Sequence, residues 1–86
     1  MSDRAAPPHG EAEIRQWLID KIADRVGVSP LSIDPSKPFA VLGVDSTEAV
    51  VISGELQEWL GRRVPPTIAW DHPTIDAAAH YLANRD

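Results

Sequence analysis

Residues 42–46, which read Leu-Gly-Val-Asp-Ser, and the run from Thr47 to Leu60 decide the fold of this chain. Apolar residues recur through the run at helical spacing. Asp45 is a favourable N-cap residue, and Glu48 three positions later completes a variant of the capping box. The pattern therefore predicts a helix that begins at Ser46, whose hydroxyl is not needed for capping and can point outward.

A phosphate group would be favoured at Ser46. The first N–H groups of a helix have no acceptor within it, and the helix dipole is positive at this end. Gly43 allows the chain to turn sharply just before the helix. In a second interpretation Ser46 only shares the capping with Asp45, and the local sequence does not separate the two.

Length and composition indicate one small globular domain. The chain has 86 residues, 43% of them hydrophobic and 24% charged, values that are ordinary for a folded soluble protein. No apolar run approaches the length of a membrane span, and Met1–Gly10 lacks the apolar core of a signal peptide, so we expect a cytoplasmic protein. Without cysteine, the unmodified chain has neither a disulfide framework nor a thiol.

The chain is predicted to divide into a flexible tail, residues 1–10, and a folded domain, residues 11–86. The tail is small-residue-rich and unpatterned. From Glu11 onward, Ile14, Leu18, Ile22 and Val26 recur every four residues, which predicts an amphipathic first helix. A glycine at position 27 is a plausible stop.

A long connection follows the first helix. Val28–Val44 contains Pro30, Pro35 and Pro38, a spacing that excludes a helix, and it shows no strand-like alternation. Its apolar content nevertheless predicts an ordered loop that wraps the domain, with Phe39 and Leu42 as anchors.

The remaining pattern completes an all-α four-helix bundle with three longer helices and one short one. The second helix is predicted over Ser46–Leu60, and Ile68–Trp70 is long enough for a single turn. Thr74 is predicted to cap a last helix. Its inward residues are predicted to be Ile75, Ala78, Ala79 and Leu82.

The net charge of −5 is unevenly distributed. Residues 45–60 carry four carboxylates and no basic side chain. This acidic helix favours a basic protein partner through electrostatic steering, and it argues against nucleic acid. A solvated helix face without a partner is the simpler alternative.

Three motifs together resemble those of acyl carrier proteins, the phosphopantetheine-binding carriers. They are I-D-P-x-x-P-F at 33–39, L-G-x-D-S at 42–46 and D-x-P-T-I at 71–75. The resemblance extends over roughly Glu11 to Asn84. Within the family, S-G-x-L-x-x-W-L-G-R-R at 53–63 is similar to polyketide-type carriers that receive fatty acyl groups from acyl-adenylate ligases.

The resemblance implies a carrier without catalytic activity, in which Ser46 bears 4′-phosphopantetheine covalently. The implied partners are a phosphopantetheinyl transferase, an acyl-adenylate ligase or acyltransferase, and a ketosynthase or other polyketide or lipid biosynthetic enzymes. A monomer is expected, with no nucleic acid and no membrane span. The motif and partner-facing residues are predicted to be Gly43, Val44, Asp45, Thr47, Glu48, Val50, Val51 and Glu55.

Departures from the family pattern at three positions bear on partner recognition. Thr47 stands where the family often has leucine, and Val51 stands where fatty-acid carriers are commonly acidic. Gly54 also replaces a larger apolar residue. These changes reduce the acidic and apolar character of the usual recognition surface. The identity of the partners therefore does not carry over from dissociated fatty-acid synthesis.

Other functions remain open at this point. A peptidyl carrier of a nonribosomal peptide synthetase would share the motifs, and a cofactor-free helical interaction module would share the fold. A nucleophilic triad of Ser46 with His72 or His80 is disfavoured, because neither histidine has a predicted route to the serine. The three histidines also lack metal-ligand spacing, so no metal is expected.

Overall fold

The computed structural model describes residues 9–84, and the described chain is all-α, as predicted. It contains four helices: α1 (Glu11–Val26), α2 (Ser46–Leu60), α3 (Ile68–Asp71) and α4 (Ile75–Asn84). Within this part of the chain the sole β-type pairing is an isolated bridge between Pro38 and Thr74. No described helix is both long and apolar enough to cross a membrane.

The helix boundaries follow the local sequence. Asp45 accepts a hydrogen bond from the backbone N–H of Glu48 at 2.8 Å, so the predicted cap of α2 is confirmed. The backbone N–H of Ala77 donates to the Thr74 hydroxyl at 3.0 Å, which confirms the cap of α4. Gly61 ends α2 with its N–H bonded to the carbonyl of Gln57.

The core is formed by the inward stripes of the three longer helices. The large side chains with the least exposure are Ile14, Leu18, Ile22, Leu56, Ile75 and Leu82. Ser53 lies among them with 2% of its surface exposed, and its hydroxyl donates to the carbonyl of Val50 at 2.7 Å. This bond satisfies the hydroxyl, so Ser53 is tolerated in the apolar interior.

The long loop before α2 is ordered, and Phe39 anchors it. Phe39 retains 7% exposure within the core, and its N–H donates to the carbonyl of Pro73 at 2.8 Å. The Phe39 carbonyl accepts bonds from Leu42 and Val44 at 3.0 and 3.1 Å. The loop is therefore tied both to the core and to the α3–α4 turn. Leu42, the second predicted anchor, is partly buried against the same core.

Two details of the loop differ from expectation. A 3₁₀ turn over Pro30–Ser32 was not predicted; proline is tolerated in a first turn, and the Ser29 hydroxyl accepts a bond from Leu31 there. The side chains of Leu31 and Val41 are exposed, so the apolar content of the loop is only partly used for packing.

The same loop also contains a local hydrogen-bonded turn at Asp34. The hydroxyl and N–H of Ser36 donate to Asp34 and lower the pKa of its carboxyl group.

The flexible tail over residues 1–10 stays a prediction, and its last two residues have contacts with the folded domain. Residues 1–8 lie outside the described residues. His9, however, packs on Trp59 with ring centroids 3.9 Å apart, and Gly10 is the N-cap of α1. An apolar ring face on Trp59 gives His9 a packing partner that the sequence pattern did not reveal.

Candidate functional site

Ser46 stands at the start of α2, on a turn that depends on Gly43. Gly43 has a φ of 95°, a conformation that favours glycine, and a Cβ there would lie 3.4 Å from Cγ1 of Val26. This turn brings the chain past the end of α1 and into α2. Because Asp45 does the capping, the exposed Ser46 side chain takes no part in holding the helix end.

Ser46 differs from the other described serines. The hydroxyls of Ser29, Ser32 and Ser36 take part in hydrogen bonds within the loop, and Ser53 is buried. Among residues 9–84, Ser46 is the serine whose hydroxyl is exposed and has no hydrogen-bond partner. Its oxygen is therefore the most accessible serine nucleophile of the described chain.

A groove of about 280 Å³ opens beside Ser46. Loop residues form one wall, and α2 and α3 form the others. Most of the lining is apolar, and its members are Pro38, Phe39, Ala40, Val44, Asp45, Ser46, Ala49, Ala69, Trp70 and Pro73. The hydroxyl thus stands at the border between solvent and an apolar depression.

Glu48 and Glu55, two of the carboxylates predicted to face a basic partner, form ion pairs across the seam between α1 and α2. Glu48 accepts a hydrogen bond from Nε of Arg25. Glu55 lies 3.4 Å from Nζ of Lys21 and 3.9 Å from a second nitrogen of Arg25. Periodicity places these residues on one face of α2, but only the packing shows that α1 supplies the opposing charges.

Val44 was also expected to face partners, and this expectation is wrong. Its side chain is 7% exposed and belongs to the core, because the turn at Gly43 directs it inward beneath α2. Thr47, Val50 and Val51 are exposed, so these three remain available to a partner. The exposed surface next to Ser46 therefore combines these three uncharged side chains with the carboxylate of Asp45.

Trp70 is a large aromatic residue with 55% of its surface exposed. It lines a second depression with Ser46, Thr47, Val50 and Val51. Helix α3 is a single turn of four residues, and Ile68 is its buried residue. The short helix does not also bury the large ring of Trp70. The sequence feature that could have indicated this exposed ring is the position of Trp70 in a very short predicted helix, directly before Asp71-His72-Pro73.

The described histidines are engaged away from Ser46. Nδ1 of His80 lies 3.3 Å from a carboxylate oxygen of Glu11, and the ring of His72 stacks on Tyr81 at 4.2 Å. Neither arrangement supplies a base to the serine. Over residues 9–84, no three or more His, Asp or Glu side chains are placed to hold a metal ion.

The comparison with protein families gives a direct match. The family described as phosphopantetheine attachment site matches residues 16–82. This range includes α2 and the loop that precedes it, together with α3 and nearly all of α4 up to Leu82.

Curated relatives include components of polyketide synthases. The chain is 54% identical over 74 residues to one component of the phenolphthiocerol/phthiocerol polyketide synthase of Mycobacterium tuberculosis. The match covers 86% of this chain but 4% of the synthase component, so the chain spans only a small segment of that relative.

Solved structures show the same fold. An acyl carrier protein from Anabaena superposes with a TM-score of 0.81 at 30% identity, covering 95% of this chain and 93% of that one. A free-standing peptidyl carrier protein from Acinetobacter baumannii gives a TM-score of 0.79 at 36% identity, with 85% and 91% covered.

Proposed function

The chain belongs to the phosphopantetheine attachment site family, and from this premise we propose that Ser46 bears the arm of an acyl carrier domain. Members of this family hold 4′-phosphopantetheine covalently on a serine. The arm ends in a thiol, which holds an acyl group as a thioester. Since the chain has no cysteine, this would be the only thiol on the protein.

One observation carries the assignment to Ser46: its hydroxyl is exposed and unbonded at the first position of a capped helix, whereas the other described serines are engaged or buried. The site also suits a phosphate. The N–H groups of Ser46 and Thr47 precede the first hydrogen bonds of α2 and point toward the positive end of its dipole.

Charge pairing around the site favours the same chemistry. Glu48 lies in the first turn of α2, where an unpaired carboxylate would repel an incoming phosphate. Its ion pair with Arg25 offsets this repulsion. The pair therefore keeps the helix start receptive to an anion, although Asp45 and Glu48 are both acidic.

The chemical step belongs to a separate transferase. The Ser46 oxygen attacks the β-phosphate of coenzyme A, the bond from that phosphorus to the bridging oxygen breaks, and adenosine 3′,5′-bisphosphate leaves. The hydroxyl proton passes to a base of the transferase, and Mg²⁺ on the transferase offsets the phosphate charge. This chain contributes the positioned hydroxyl and the helix dipole.

We assign the arm to acyl groups of polyketide or lipid biosynthesis. The polyketide synthase relative supports this choice over amino-acid loading, although the solved structures include a peptidyl carrier. The partners would then be an acyl-adenylate ligase or acyltransferase and a ketosynthase, acting in the cytoplasm. The domain itself would catalyse no step, as is general for carriers of this family.

Intact mass spectrometry tests the assignment. After incubation with coenzyme A, Mg²⁺ and a broad-specificity phosphopantetheinyl transferase, the wild-type mass should rise by one phosphopantetheinyl group, and thiol titration should rise from zero to one. Ser46→Ala should remain folded and unmodified. The matched control Ser36→Ala, another exposed serine, should be modified like the wild type. A modified Ser46→Ala protein would show that the attachment site lies elsewhere.

A further inference from the structure

One ring nitrogen of His80, in α4, lies between two side chains that need it in opposite states. Nδ1 of His80 lies 3.3 Å from a carboxylate oxygen of Glu11, in the first turn of α1. The same Nδ1 lies 3.3 Å from Nδ2 of Asn84, one turn later in α4. In the ring plane this nitrogen carries either a proton or a lone pair. It can therefore bond to only one of these two neighbours at a time.

A second hydrogen bond fixes which end of the Asn84 amide faces the ring. Nδ2 of Asn84 donates to the backbone carbonyl of His80 at 2.8 Å. The amide oxygen could not take this place, because neither it nor the carbonyl has a proton to donate. Nδ2 carries two protons, and the second can be donated to Nδ1 of His80 only when that nitrogen is bare. A bond between the neutral ring and Asn84 therefore requires the ring proton to be on Nε2.

Glu11 makes the opposite demand on the same nitrogen. An ionised carboxylate only accepts hydrogen bonds, and carboxylates are ordinarily ionised above about pH 5. Glu11 can therefore bond to Nδ1 only when this nitrogen is protonated, whereas a bare Nδ1 places two lone pairs against each other. Once Nδ1 is protonated, it and Nδ2 of Asn84 are both donors, so the bond to Asn84 is lost.

The charges around His80 leave Glu11 available for this bond. Arg15 of α1 lies 3.5 Å from the other carboxylate oxygen of Glu11, and its Nε donates to Asp76 of α4 at 2.7 Å. Through these contacts, both helices contribute charged groups to the site. Two carboxylates face one guanidinium, so the group carries one net negative charge while His80 is neutral. A proton on His80 balances that charge.

We propose that His80 is a proton-dependent switch between two hydrogen-bond partners. The neutral ring bonds to Asn84 within α4, and the charged ring releases Asn84 and bonds to Glu11 of α1. Histidine is the side chain suited to such a switch, because it ordinarily gains its proton between about pH 5 and 8. Protonation replaces a bond within the last turn of α4 with a bond that ties this turn to the start of α1. The proposal is independent of the assignment of Ser46.

NMR of the imidazole nitrogens tests this exchange, because their chemical shifts report which nitrogen holds the proton. At about pH 8 the neutral wild-type ring should hold its proton mainly on Nε2. As the pH falls to about 5, the side-chain amide signals of Asn84 should shift together with the ring signals of His80. His72, which stacks on Tyr81 instead, is the internal control, and its tautomer should be the same in every variant.

Two variants should change the neutral ring in opposite directions. Asn84→Ala removes the donor, so at high pH the ratio of the Nδ1–H to the Nε2–H tautomer should rise by about threefold, as for the loss of one exposed hydrogen bond. Glu11→Ala removes the acceptor, so the same ratio should fall by a similar factor. Glu13→Ala is the matched control, because this carboxylate also lies in the first turn of α1 but pairs with His9. It should match the wild type.

The outcomes separate a switch from an ordinary exposed histidine. Circular dichroism on each variant verifies that the domain is folded. Joint movement of the Asn84 and His80 signals, with opposite effects of Asn84→Ala and Glu11→Ala, is the expected result. If the Asn84 amide signals stay fixed while His80 titrates, or if either variant leaves the tautomer ratio unchanged, His80 does not exchange partners and the proposal is wrong.

Discussion

The two ends of α2 differ in how much of their surface the domain itself covers. At the C-terminal end, Trp59 lies between His9 and Trp17, with centroids 3.9 and 5.3 Å away. Arg62, just beyond the helix, donates a hydrogen bond to the carbonyl of Leu82 in α4. At the N-terminal end, some 20 Å away by helix geometry, Ser46 and its neighbours Thr47, Val50 and Val51 are exposed.

The directions of the helices explain this difference. Arg25 near the end of α1 pairs with Glu48 near the start of α2, whereas Trp17 stacks on Trp59 near the end of α2. The two helices are therefore antiparallel. One end of α2 receives aromatic neighbours from α1 and its preceding residues, while the other meets the end of α1, a loop and the four-residue α3. The less covered end is the one available to other proteins.

Removing the Phe39 ring should have the largest effect on stability. It tests whether the loop anchored by Phe39 supports the exposed N-terminal end of α2. Phe39→Ala should lower the free energy of unfolding by about 3 kcal/mol, because the ring is buried and its loop presents Ser46. For a domain with a total near 5 kcal/mol, the protein would be barely folded. Urea denaturation measures the change, with Leu31→Ala as an exposed apolar control that should shift stability by less than about 0.5 kcal/mol.

Amide exchange examines the same loop without mutation. Amides near Phe39 and Leu42 should be protected, because their N–H groups are bonded within the folded loop. Uniformly fast exchange from Val28 to Val44 would mean that the loop is a loose tether, and Phe39 would then not support the serine end as argued.

Reversing the charge of Glu55 should have a smaller effect, and it tests the seam between α1 and α2. Glu55→Lys places a cation beside Lys21 and Arg25, so it should destabilise the domain by about 1 kcal/mol, and added salt should reduce the difference. Glu58→Lys is the matched control, because Glu58 is exposed on the same helix and has no ion pair within residues 9–84. Equal losses in the two variants would show that net charge, rather than the seam, is responsible.

Removing the His9 ring should have the smallest effect, and it tests the covered end. His9→Ala should cost about 0.5 kcal/mol and alter tryptophan emission, because the ring stacks on Trp59. It should leave modification of Ser46 unchanged, since the stack lies at the opposite end of α2. His80→Ala, which removes a largely exposed ring, is the control for emission. An unchanged spectrum in His9→Ala would mean that the stack does not persist in solution.

Much of the fold could be predicted because its signals are local. The caps at Asp45 and Thr74 each use a bond between residues three apart, and the stripe of α1 follows from helical periodicity. The anchoring role of Phe39 was also predictable, since an apolar ring in a proline-rich loop is costly to expose. The 3₁₀ turn at Pro30–Ser32 was missed, because proline excludes a helix interior but not a first turn.

By itself, the sequence determined the helices, their caps and the position of a serine at the start of α2, since each depends on residues within one or two turns of one another. Tertiary structure alone decided which side chains face outward at that serine. Val44 is buried because the loop and α2 close over it, and Glu55 meets Lys21, a residue 34 positions earlier in the chain. Pairing and burial at such separations depend on how helices pack, and no local pattern records that packing.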